Sequence, residues 1–274
     1  MNRVLVAFAV TAVLFGGAAG SFAQDQLPDL IVDPARLMDH EFVKDIVPGR
    51  IHIRLSNSTP NIGAGELRVV EGPIIGNEQT IFQAIKQADG SPARLREAGQ
   101  FVFHGTHNHF HVDDWAQYRI LEVLPGDGVG AILFEGVKTS FCLLDSTRYL
   151  GPEPVVGVTP GVRQFNSCSA SEQGISVGWE DIYFKNLPDQ WIDITGLTPG
   201  EYWLESEVDP EDHILEMDET NNSARIKLVI GAGTLPIPDE IPLHPRLPWV
   251  LSFMILLCGA LSLRAVSKRL GELA

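Results

Sequence analysis

A mainly β domain of antiparallel strands is the fold the sequence predicts for residues 24–231, and three observations carry it. Short segments rich in branched and aromatic residues recur along this stretch, several alternating apolar with polar positions as half-buried strands do. Gly, Pro, Asn and Asp lie between them, as turns require. No repeat or low-complexity tract interrupts the pattern, and 274 residues that are 45% hydrophobic suffice for one sizeable core with appendages at its ends.

In chain order, Met1–Gly20 comes first, a lone Arg3 followed by an apolar run, with the small residues Ser21 and Ala23 suited to cleavage before Gln24. Residues 1–23 are read as a signal peptide, the alternative being an uncleaved anchor. Strands are then expected at IHIRL (51–55), ELRVV (66–70), AQYRILEVL (116–124), AILFEGV (131–137), EYWLESEV (201–208) and ARIKLVI (224–230). In TIFQAIKQADGSPARLREAG, by contrast, Ile81, Ile85 and Leu95 predict one or two short helices broken at Gly90, Ser91 and Pro92.

Residues 232–246 are a proline-rich, semi-rigid linker. An apolar run from Trp249 to Leu263 predicts a transmembrane helix over 247–266, with Arg264 snorkelling, since a span needs roughly 20 residues. Residues 267–274, with Lys268 and Arg269, form a basic tail on the cytoplasmic side. The IPLHP motif, apolar helix and basic end together resemble the tripartite bacterial sorting tails of the IPTL kind. The folded part is therefore expected outside the cytoplasm, periplasmic or at the cell surface, and anchored to the membrane.

The net charge of −15 disfavours nucleic acid and other polyanions as partners and attracts cations. Of the three cysteines, Cys258 falls in the apolar segment, which leaves Cys142 and Cys168 in the exported part. Oxidising conditions favour a bond between them, the alternative being two free buried thiols.

Four of the eight histidines fall in HGTHNHFH, residues 104–111. In a strand, residues two apart share a face, so His107, His109 and His111 project together; in a helix His109 would point elsewhere. Three imidazoles on one face suit copper(II) or zinc and leave a position open, and a bend at Gly105 brings His104 near as a fourth or outlying group. The alternatives are adventitious metal binding or a pH-sensitive interface. The flanking FVF and DDW read as core-anchored strand rather than floppy tail.

This run resembles the copper stretch of the lysyl oxidase family, copper amine oxidases whose cofactor is a quinone made from a lysine and a tyrosine. KTSFCLLD (138–145) is similar to that family's segment holding the cofactor lysine, and SVGWEDIYFKNLPDQWIDITGLTPGEY (176–202) to the one holding the cofactor tyrosine. With LPDL at 27–30, the resemblance spans Leu27 to Ile230. It implies a catalytic domain of antiparallel strands with long loops and short helices, copper(II) on His107, His109 and His111, and a lysine tyrosylquinone made from Lys138 and Tyr183. The implied reaction oxidises a primary amine, peptidyl lysine or a small amine, to an aldehyde with release of ammonia and hydrogen peroxide. Taken alone, Lys138 reads as a solvated surface charge and Tyr183 as core or rim.

The chain departs from the family in places. A nearby family histidine falls at Gln117, leaving Asp113 and Asp114 as candidates for a general base. Only Cys142 and Cys168 match the family's cysteines, and they are expected to pair, contributing about 3 kcal/mol. A second constellation, Glu216, Asp218, Asn221 and Asn222 in EMDETNN, offers hard oxygen donors suited to calcium. The resemblance implies a structural calcium site there, completed by Asp29 and Leu30; the alternative is a solvated acidic turn.

A competing reading is a non-catalytic, metal-binding cell-surface module, because PGEYWLESEVDPEDHILEMDETNN also resembles immunoglobulin-like adhesion domains. It gives no reason for His107, His109, His111, Lys138 and Tyr183 to occur together. A zinc hydrolase would need a base beside the metal, and no HExxH motif is present.

Overall fold

The computed structural model describes residues 24–44, 46–75, 78–105 and 108–236. The expected signal peptide, transmembrane helix and basic tail, and most of the linker, lie outside the described residues. Among the described residues no helix is long and apolar enough to cross a membrane.

The strands are β1 (Asp25–Gln26), β2 (His40–Lys44), β3 (Ile51–Leu55), β4 (Asn57–Pro60), β5 (Leu67–Ile75), β6 (Glu78–Gln87), β7 (Arg94–His104) and β8 (His109–Val112). They continue with β9 (Ala116–Leu124), β10 (Gly128–Glu135), β11 (Thr147–Arg148), β12 (Glu172–Ile175), β13 (Trp179–Tyr183), β14 (Trp191–Asp193), β15 (Gly200–Val208) and β16 (Ser223–Ile230). One sheet runs β12-β5-β6-β7-β8 with β1 beside β6; a second runs β10-β9-β15-β16; two smaller ones run β11-β13-β4 and β14-β3-β2. Every strand pair is antiparallel.

The core is built by cross-strand stacking. Leu204 pairs with Ile120 on one side and Ile226 on the other, and all three are buried. Burying each such side chain stabilises the fold by about 1.5–3 kcal/mol. On the opposite face of β15, the buried Glu205 is bridged by Arg119 at 3.3 Å and Arg225 at 2.8 Å, so its charge is compensated.

The helices expected in 80–99 are absent. β6 and β7 form a hairpin there, and the only helix among the described residues is α1 (Pro34–Leu37), capped by Asp33 accepting from the Ala35 amide. Ile81 and Ile85 are four apart, a spacing that shares a face in helix and strand alike. What conceals the strand is that Gln79, Gln83 and Gln87 occupy inward positions on the same face. Gln83 satisfies its amide by donating to the Leu215 carbonyl and accepting from the Leu215 amide, both at 2.9 Å, so a polar residue sits where the alternation calls for an apolar one.

Candidate active site

Three segments meet at the site. Strand β8 carries His109 and His111, two apart and on one face, and the left-handed Asn108 (φ 56°) immediately precedes it; His107 lies outside the described residues. Next to β8 runs the segment 138–146, tied to it by reciprocal backbone hydrogen bonds between Val112 and Phe141 and by the Trp115 amide donating to the Thr139 carbonyl. On the other side β13 presents Asp181 and Tyr183, again two apart, and pairs with β4 so that Asp181 faces Thr59 and Tyr183 faces Asn57. Glu180 strengthens that pairing, accepting from Ser58 and forming an ion pair with Arg36 at 3.1 Å.

The Tyr183 hydroxyl accepts from the Cys142 amide at 2.7 Å and donates to the Cys142 carbonyl at 2.9 Å. Phe141 meets the Tyr183 ring edge-on, centroids 4.7 Å apart at 85°. Lys138 is buried, with Nζ 5.2 Å from the centre of the Phe141 ring and 5.5 Å from that of Tyr183. Burial lowers the Lys138 pKa from its usual value, against the opposing pull of Asp189, while burial and then the Asp181 charge push the Tyr183 hydroxyl well up. The arrangement shifts the amine toward its neutral form beside a protonated phenol.

Lys138, Tyr183, His109, Asp181 and Leu187 line one cavity of about 410 Å³, together with the Cys142–Cys168 disulfide. On its histidine side, Nε2 of His109 and Nε2 of His111 converge to 2.9 Å. His111 is fully buried, its Nδ1 is 3.3 Å from the Ser140 hydroxyl, and the His104 ring stacks on it at 4.8 Å. Among the described residues no three His, Cys, Asp or Glu side chains form a metal cluster.

The other sequence candidates lie elsewhere. Asp113 and Asp114 open onto a separate cavity of about 340 Å³ with Glu97, Gln100 and His213, and Gln117 donates to Glu135 at 3.0 Å. Sequence reasoning passed over Asp181, although its spacing of two from Tyr183 in a strand was the available signal.

The second constellation joins the two ends of the domain. Glu216, buried, accepts from the Leu30 amide at 2.5 Å and from the Asn222 side chain at 2.7 Å, and Asp29 accepts from the Asn221 side chain at 2.8 Å. Burial pushes the Glu216 carboxyl up to about 9 and raises that of Asp29. The Asn221 and Asn222 Oδ1 atoms are buried without a hydrogen-bond partner among the described residues. Asp218 is exposed and engages Thr220, accepting from its amide and its hydroxyl, and the Leu30 side chain belongs to the core, so only its backbone reaches this site.

The lysyl oxidase family model matches residues 76–235, a stretch that contains the histidine strand, Lys138, Tyr183 and the Glu216 turn. Lysyl oxidase homolog 1 of Homo sapiens is 36% identical over 215 residues, covering 74% of this chain and 33% of that protein. Lysyl oxidase homolog 3A of Danio rerio is 28% identical over 212 residues (76% and 26%), and lysyl oxidase homolog 2 of Xenopus tropicalis 28% over 215 (75% and 25%). The chain thus spans a third or less of the length of these relatives. A match running through the histidine strand and both segments that enclose the cavity makes this chain a member of the lysyl oxidase family.

Proposed function

We propose that the chain is an exported copper amine oxidase that converts primary amines, peptidyl lysine or small amines, to aldehydes, with a cofactor made from its own Lys138 and Tyr183. The observation that carries this reading is the buried Lys138 amine 5.5 Å from the centre of the Tyr183 ring, in the cavity that His109 also lines. His107, His109 and His111 would hold copper(II), which supplies the redox chemistry for oxidising the Tyr183 ring. The converging Nε2 atoms of His109 and His111, with Ser140 beside the far nitrogen of His111, fit such an ion. The cross-linked cofactor would supply an electrophilic carbonyl and accept two electrons.

The chain's own residues prepare this chemistry. Burial lowers the Lys138 pKa and so shifts the amine toward the neutral form that attacks a carbon centre. Cys142 and Phe141 fix where the Tyr183 ring sits and which edge it presents. Leu144, Ile182, Leu187 and Pro188 give the cavity apolar walls that limit water and favour an uncharged substrate amine.

At the far end, Asp29, Glu216, Asn221 and Asn222, with the Leu30 backbone, would hold a structural calcium ion. Two carboxylates that burial makes costly to ionise and two unpartnered buried amide oxygens fit that ion. The disulfide supports an oxidising compartment. The test of the whole reading is peptide mass spectrometry of chain expressed with copper. Lys138 joined to Tyr183 at an oxidised mass, lost in Tyr183→Phe, upholds it; both residues unmodified in folded, copper-loaded protein would leave a metal-binding surface module.

A further inference from the structure

We propose that Asp181 is the catalytic base of this cavity, the group that removes a proton from the substrate carbon bearing the amine. The assignment rests on the amine-oxidase reading above and supplies the residue that reading lacks. Asp181 and Tyr183 lie two apart on β13 and line the same cavity as Lys138. Among the described residues Asp181 is the one carboxylate in that lining, which otherwise offers only His109, Lys138, Ser146 and Tyr183 as side chains able to move a proton. Asp113 and Asp114 face a different cavity, and Gln117 has no basic group and is engaged with Glu135.

The surroundings of Asp181 suit the role. Its carboxyl accepts from Ser146 Oγ at 3.2 Å, and Ser146 is itself held because its oxygen accepts from the Ile182 amide at 3.1 Å. The group is therefore oriented from its own strand and from segment 138–146. Burial, then the nearby Asp145 charge, raises its pKa well above the ordinary carboxylate range, which makes the ionised form a stronger base.

The step balances. Once the substrate amine has condensed with the cofactor's carbonyl, with loss of water, Asp181 would take the proton as the C–H bond breaks, and the bond's electron pair would pass through the C–N linkage, leaving the cofactor reduced by two electrons. Water then releases the aldehyde. Dioxygen would take up the two electrons and two protons as hydrogen peroxide, a further water would release the nitrogen as ammonia and restore the carbonyl, and Asp181 would return its proton in that half of the cycle.

The test uses the full chain expressed with copper, with benzylamine and n-butylamine and their α-dideuterated forms as probes. Asp181→Asn is expected to keep the Lys138–Tyr183 cross-link by mass and to bind one equivalent of phenylhydrazine. Its turnover falls at least 100-fold, as expected for loss of a general base, with an enlarged isotope effect on anaerobic reduction of the cofactor. Asp181→Glu, which keeps a carboxylate, is expected to retain at least ten times the turnover of the Asn variant. Cross-linked Asp181→Asn within threefold of wild type overturns the assignment, as do equal losses in folded Asn and Glu variants. Loss of the cross-link in Asp181→Asn alone would move Asp181 to cofactor formation and also overturns it. Wild-type chain that lacks the cross-link, or carries it and oxidises neither amine, removes the amine-oxidase reading itself.

Discussion

The hydroxyl of Tyr183 is bound twice by one residue, Cys142, accepting from its amide at 2.7 Å and donating to its carbonyl at 2.9 Å. This clamp joins the strand carrying the phenol to the segment carrying the amine. Tyr183→Phe removes both hydrogen bonds and leaves the Cys142 backbone groups unpaired, a loss of about 1–3 kcal/mol. The variant is expected to melt several degrees lower and to show no cross-linked peptide and no peroxide release, measured by calorimetry, mass spectrometry and a peroxidase-coupled assay.

Because Cys142 is also one half of the disulfide, the bond to Cys168 braces the same clamp. Replacing both cysteines by serine is expected to cost about 3 kcal/mol. For a domain of this size that is about 6–12 °C in Tm. Cross-link yield should fall more than folded yield does; a yield that tracks folding alone would show that the bond acts only through global stability.

Cross-linking needs the Lys138 amine uncharged, and burial lowers its pKa below the ordinary 10.5. The neutral fraction rises with pH and saturates earlier than for an exposed lysine. The rate at which copper added to metal-free chain produces the cross-link should therefore increase with pH and reach its plateau below pH 10.5. A rate still climbing beyond the ordinary lysine value would contradict a buried, neutral amine.

Copper affinity should depend on a residue that does not touch the ion. His109→Ala and His111→Ala are expected to abolish stoichiometric copper binding. Ser140→Ala, which removes the hydroxyl 3.3 Å from Nδ1 of the buried His111, should weaken it by about 10-fold or more, as loss of a ligand's outer hydrogen bond does. Titration against a competing chelator measures both.

Calcium is expected to act on stability rather than on the amine. At a hundredfold excess over its Kd an ion bound only by the folded state adds about 2.7 kcal/mol, or roughly 5–11 °C in Tm. Chelation should remove that increment from wild type. In Glu216→Gln, which removes the more deeply buried of the two carboxylates that would hold the ion, melting with and without chelator should coincide.

Much of this was legible in the letters. IHIRL and AQYRILEVL became strands with the expected limits, Ile51–Leu55 and Ala116–Leu124, because their inward positions are apolar and their turns are marked. The β6–β7 hairpin was not legible, since inward glutamines satisfied by the distant Leu215 backbone erase the alternation. The extended histidine run was read correctly from His109 onward, where residues two apart share a face, but the turn at Asn108 is a backbone conformation that spacing alone does not report. The resemblance to lysyl oxidases pointed to Lys138 and Tyr183, while Asp181 required knowing which strand faces lie on the cavity.

Strand β4 lies before the stretch that the family model matches, yet it is the neighbour along which the strand of Asp181 and Tyr183 is laid down. Asp29 and Leu30, from the same opening portion, close the Glu216 turn. A fragment begun at residue 76 would carry His109, Lys138, Asp181 and Tyr183 without the frame that brings them to one cavity. Residues 24–75 are thus not a preface to the catalytic unit but part of its chassis, and the two portions can be transplanted, shortened or recombined only together.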